Sequence, residues 1–167
     1  EFDDFIQRCD QAVNKIAEVC QDMAAIVGCP TRNPKLEGKN LFNSAIFIEN
    51  GRVKQFVHKT LLPNYDVFDE YRYFEPNTSF NCVEFKNKRI ALTICEDLWD
   101  IEEDKMYVRW PMEELKIQQP DLIINIAASP FSYKHAESRK RVLHQTASKN
   151  KIPVFYVNTT GAQTELI

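Results

Sequence analysis

Glycine is scarce: four residues in a chain of 167. No Gly-rich loop of the kind that cradles phosphates appears among them. A charge surplus is lacking too, since 24 acidic residues stand against 21 basic ones for a net charge of −3. Nucleic-acid binders usually carry a basic excess, so no nucleic acid is expected as a partner. No apolar run approaches the ~20 residues that a membrane-crossing helix needs, so no membrane is expected. No signal-peptide pattern follows Glu1. The five cysteines, Cys9, Cys20, Cys29, Cys82 and Cys95, are odd in number and irregular in spacing. They form no disulfide framework and no CxxC pair for zinc, so no metal is expected. A reducing, cytoplasmic setting suits them. What remains is an ordinary globular composition, 44% hydrophobic and 27% charged. It excludes a disordered tail, a collagen-like repeat and a disulfide miniprotein, and the length suits one domain.

The apolar spacing of Phe5, Ile6, Cys9, Val13, Ile16, Ala17, Cys20, Met23 and Ala24 predicts a helix from Phe2 to Val27. Gly28 and Pro30 would stop it. Residues 31–40 read as a polar loop. Leu41 to Ile48 and Arg52 to His58 read as strands joined at Asn50-Gly51, a strong hairpin signal. A long irregular stretch runs from Lys59 to Phe80, and stretches of that length are often functional. Cys82 to Phe85 and Arg89 to Ile94 form a second hairpin around Lys86-Asn87-Lys88, the latter strand central and buried. Residues 101–118 are helix-like, with Pro111 as a break or second start. Leu122 to Ala127 is a buried strand, His135 to Asn150 a surface helix, and Ile152 to Val157 another buried strand. Hairpins mixed with strand-helix-strand units predict an α/β protein with a mixed sheet.

Cys95 ends a buried strand and precedes acidic residues that suit the first turn of a helix. Such a corner exposes a side chain and supplies a backbone N–H to an oxyanion, the geometry of a nucleophile elbow. A cysteine merely packed at a strand end fits the position as well. Lys59 sits where a strand hands over to the long loop. It reads either as a solvated edge charge or as a cation beside a nucleophile. Glu70 lies among five aromatics, Tyr65 included. It reads as a desolvated, tuned carboxylate or as a loop acid paired with Arg72.

Taken together, these segments carry a resemblance. His58-Lys-Thr-Leu-Leu-Pro-Asn-Tyr-Asp-Val-Phe-Asp-Glu-Tyr-Arg-Tyr-Phe74 and Thr93-Ile-Cys-Glu-Asp-Leu-Trp99 resemble the lysine and cysteine motifs of the nitrilase, or carbon–nitrogen hydrolase, superfamily. More narrowly they are similar to the glutaminase domain of glutamine-dependent NAD synthetases. Asn125-Ile-Ala-Ala-Ser-Pro-Phe131 and Tyr156-Val-Asn-Thr-Thr-Gly-Ala-Gln-Thr-Glu-Leu-Ile167 match later segments of that domain in order and spacing.

The resemblance implies an α-β-β-α sandwich with mixed sheets and a Glu-Lys-Cys active site. Cys95 would be the nucleophile and L-glutamine the substrate. Lys59 and the backbone N–H of Glu96 would stabilise the oxyanion. Glu70 would be the supporting glutamate that positions the lysine. Tyr65 and Phe68 would line the glutamine pocket, and Ser129 would meet the α-amino and α-carboxylate end. A basic residue assists there in the family. Lys134 stands one place early, His135 is in the expected position, and Arg139 fits the next basic position, so the choice stays open.

The resemblance also implies that 167 residues are a section of a longer protein. The family's general-base glutamate precedes the first long helix, and Glu1 is too close to that helix to fill the role. The family continues past Ile167 into a synthetase domain of the same polypeptide, which would use ATP and Mg. Homo-oligomerisation is expected. Two other readings stand beside this one: a stand-alone nitrilase-type amidase, and a non-catalytic fragment or interaction module.

Overall fold

The computed structural model describes residues 3–99, 107–130 and 135–161. The chain divides into two compact units, Glu1–Phe80 and Asn81–Ile167.

The first unit opens on helix α1, Asp3–Val19. Asp3 and Asp4 sit in its first turn, where the helix dipole favours negative charge. Ile6, Val13 and Ala17 are buried along one stripe, as the apolar spacing predicts. The helix stops at Val19, well short of Val27. Asp22 takes a left-handed φ of 57°, and Cys20 closes the last turn through its N–H to Ala17 O at 3.0 Å. Ala24–Arg32 is instead strand β1, antiparallel to β2, Leu41–Glu49, which pairs in turn with β3, Arg52–His58.

This corrects the helical reading of 24–27 and part of the loop reading of 31–40. A short apolar run containing Ile26 and Val27 satisfies both periods, and the nine-residue register with β2 decides for strand. Gly28 and Pro30 lie inside that strand, not at a helix end. It is an edge strand, where proline is tolerated. The β2–β3 turn at Asn50-Gly51 has φ of 47° and 76°, the two left-handed residues that a type I′ hairpin needs. Val13, Ala17, Cys20, Cys29, Ile46 and Ile48 form the core between α1 and this sheet.

The second unit holds a four-stranded sheet: β4 (Val83–Phe85), β5 (Lys88–Ile94), β6 (Leu122–Ala127) and β7 (Val154–Asn158), in that order. β4 is antiparallel to β5, while β5, β6 and β7 run parallel, so the sheet is mixed. The β4–β5 turn uses Lys86 and Asn87 at φ of 47° and 61°. Helix α2, Pro111–Lys116, connects β5 to β6, with proline in its favoured first position. It covers less than the predicted 101–118, of which residues 101–106 lie outside those described. Helix α3, His135–Asn150, connects β6 to β7 as predicted.

β5 is central and buried from Ile90 to Ile94. β7 is not the buried strand expected. Among the described residues it is an edge, with Phe155 55% and Val157 58% exposed. No helix among the described residues is long and apolar enough to cross a membrane.

Candidate active site

In the first unit, chain direction brings Lys59 and Glu70 together. Lys59 leaves the end of β3, its N–H donating to Asn43 O at 2.8 Å. The loop then turns back. Glu70 starts a 3₁₀ turn, Glu70–Arg72, and donates its own N–H to Pro63 O at 3.1 Å. The Lys59 ammonium reaches Glu70 Oε1 at 2.5 Å, and Asn43 Nδ2 donates to Oε2 at 3.2 Å. Lys59 is 1% exposed, which removes the reading of a solvated edge charge. Arg72 reaches Asp69 at 3.5 Å, so it is not the partner of Glu70. A buried ammonium must keep a counter-ion, and both oxygens of this one are engaged.

Nearby, Phe68 donates its N–H to Tyr65 O at 3.0 Å, and the two rings meet edge to face at 6.0 Å. His58 stacks on Phe42 with centroids 4.1 Å apart and shares a 2.7 Å hydrogen bond with Ser44. Burial holds its imidazole below the usual value.

In the second unit, β5 runs into a 3₁₀ helix, Cys95–Leu98. Cys95 stands on the corner with a left-handed φ of 44°. A non-glycine residue held there is strained, and such strain gathers at functional sites. The Asp97 carboxylate accepts from Ile94 N–H at 3.0 Å and locks the entry to the turn. Glu96 is buried, and Tyr107 OH donates to its Oε1 at 3.3 Å.

Cys95 Sγ lies 3.6 Å from Ser129 Oγ, at the carboxyl ends of parallel β5 and β6. Ligands in open α/β sheets bind at such ends. Ser129 is clamped by Asn158, whose Oδ1 accepts from its N–H at 2.8 Å and whose Nδ2 donates to its carbonyl at 3.2 Å. Tyr156 OH donates to Ser129 Oγ at 3.1 Å. Burial pushes the Tyr156 phenol above its ordinary value, so it remains a neutral donor at neutral pH. The Arg139 guanidinium lies over the Tyr156 ring at 5.5 Å, and its buried Nε has no hydrogen-bond partner among the described residues. The side chain of His135 lies outside the described residues, as does Lys134. A cavity of about 370 Å³ lies elsewhere in this unit, against α2 and α3, and no predicted site residue lines it.

Asn43, Asn125, Tyr156 and Asn158 hold the predicted residues in place, and sequence reasoning gave none of them a role. A signal was available for Asn125, a lone polar residue in the apolar strand Leu122–Ala127. Tyr156 and Asn158 share a face by their two-residue spacing. Among the described residues no group of acidic, histidine or cysteine side chains could hold a metal ion.

No family model matches the chain. It is 37% identical over 170 residues to a glutamine-dependent NAD(+) synthetase of a Synechocystis species, covering 98% of this chain and 30% of that protein. The fold matches the structure of glutamine-dependent NAD+ synthetase from Acinetobacter baumannii, solved with ADP, with a TM-score of 0.83 and 27% identity. That match covers 99% of this chain and 30% of the other. A carbon-nitrogen hydrolase from Helicobacter pylori shares the fold at a TM-score of 0.74 and 19% identity, over 97% of this chain and 55% of its own. The chain thus spans about 30% of the length of the synthetase relatives it matches.

Proposed function

Because the chain belongs to the family of the glutamine-dependent NAD synthetases, we propose that it carries the glutamine-hydrolysing part of such an enzyme. The observation that carries the reading is Cys95 at the strained end of β5, its sulfur beside Ser129. The Cys95 thiolate adds to the side-chain amide carbon of glutamine and forms a tetrahedral oxyanion. Lys59 and the N–H of Glu96 stabilise that charge, and Glu70 keeps Lys59 positioned. The C–N bond then breaks, and the nitrogen leaves as ammonia after taking a proton. Water attacks the thioester, releasing glutamate and restoring the thiol.

Tyr65 and Phe68 line the pocket for the substrate's methylene chain. Ser129, with Arg139 or His135, meets its amino-acid end. No general base is assigned within these residues. The ammonia goes to a synthetase region of the same polypeptide for ATP-dependent amidation of deamido-NAD. ATP and Mg²⁺ belong to that region. This chain has no Gly-rich phosphate loop, so no ATP step is assigned to it. The protein works as a homo-oligomer in a reducing cytoplasm, a compartment that suits its five irregularly spaced cysteines.

The test is ammonia release from glutamine by the full-length protein. Removing a nucleophile abolishes turnover on the scale of 10⁴-fold or more, which is the result expected for Cys95→Ala. Activity retained in that variant would overturn the reading.

A further inference from the structure

We infer that Asn125 is a positioning residue for the oxyanion site, acting through the peptide that joins Cys95 to Glu96. The inference rests on the glutaminase reading above.

Asn125 lies on β6 directly opposite Thr93 on β5 and is fully buried. Its Nδ2 donates to Thr93 Oγ1 at 2.9 Å and to the carbonyl of Cys95 at 3.3 Å. The β5–β6 register ends one residue earlier, at Ile94↔Ile126. The carbonyl of Cys95 lies one residue beyond that register, and the side-chain amide of Asn125 reaches it from the neighbouring strand.

A peptide unit is planar, and in the trans form its C=O and N–H point in opposite directions. No cis peptide occurs among the described residues. Holding the carbonyl of Cys95 consequently fixes the direction of the Glu96 N–H. That N–H is the backbone donor assigned to the oxyanion. The corner needs such a hold, because Cys95 sits at a φ of 44° that L residues rarely adopt.

Asn125 keeps this grip at a cost. Its Oδ1 is buried with no hydrogen-bond partner among the described residues. A buried acceptor left bare is unfavourable, and an apolar residue in this apolar strand would avoid it. The side chain is suited to donating, and the donor goes to the one carbonyl that aims the Glu96 N–H.

The test compares Asn125→Ala and Asn125→Ser in the full-length protein. Loss of one oxyanion donor costs about 10²- to 10³-fold in kcat, so a misdirected donor is expected to cost about 10²-fold. KM for glutamine should stay within about threefold, because ground-state contacts are unchanged. Alkylation of Cys95 by iodoacetamide should also stay within about threefold of the parent rate. In that displacement the thiolate sulfur bonds to the methylene carbon and iodide leaves, with no oxyanion formed.

A kcat within about threefold of the parent would overturn the inference. So would alkylation that falls in step with kcat, or loss of folding in both variants. Either would make Asn125 a support for the thiol or the core. Failure of the glutaminase reading itself is separate: the parent protein would then release no ammonia, or Cys95→Ala would still release it.

Discussion

The ammonium of Lys59 is buried to 1% exposure, whereas its partner Glu70 keeps 21%. The pair is therefore asymmetric. Lys59 has exchanged water for a carboxylate, while Glu70 still reaches solvent and holds Asn43 as well.

The asymmetry sets an order of stabilities. Glu70→Gln leaves a charged amine in the core without its counter-ion and should cost about 3 kcal/mol. Lys59→Met replaces the buried charge with an apolar chain of similar length. It leaves a carboxylate that can hydrate, and should cost about 1 kcal/mol or less. Urea unfolding midpoints of the two variants decide the matter, and the reverse order would refute it. Both variants should lose glutamine hydrolysis.

His58 predicts a pH dependence. Burial lowers its pKa below the ordinary 6.5, so the unfolded chain takes up a proton at a pH where the folded chain does not. The stability this contributes is present above pH 6.5 and is lost as the pH falls below it, with a slope of at most about 1.4 kcal/mol per unit. Unfolding curves between pH 7.5 and 5 should flatten in His58→Gln relative to the parent. An unchanged slope would rule out His58 as the source.

Tyr156 donates to Ser129 Oγ at 3.1 Å. Tyr156→Phe removes that donor and keeps the ring under Arg139. One neutral hydrogen bond is worth about 0.5–1.5 kcal/mol. KM for glutamine should accordingly rise by up to about tenfold with kcat little changed. A fall in kcat at constant KM would instead place Tyr156 in the chemical step.

Much of this was legible in the sequence. Asn50-Gly51 specifies its hairpin through two left-handed residues, and the apolar run Ile90–Ile94 specifies a buried strand. The resemblance of His58–Phe74 and Thr93–Trp99 to the lysine and cysteine motifs singles out Lys59, Glu70 and Cys95. The strand at Ala24–Arg32 was not legible. Its local pattern suits a helix as well, and the choice is made by pairing with Leu41–Glu49. Residue spacing alone left Arg72 and Lys59 both open as the partner of Glu70, and only the resemblance pointed to Lys59. Both are near in sequence, and the loop's return past Pro63 selects the lysine.

The sequence by itself determined which groups are present for chemistry: one thiol at a strand end, one lysine after a strand, one acid among aromatics. Local spacing places those groups, because strands and tight turns are short-range objects, and the resemblance to the lysine and cysteine motifs gives them their expected roles. Only the tertiary structure decided what state those groups are in. The burial of Lys59, the left-handed φ of Cys95 and the grip of Asn125 on its carbonyl arise where separate segments meet. Desolvation and hydrogen-bond direction depend on those neighbours, which sequence order does not specify.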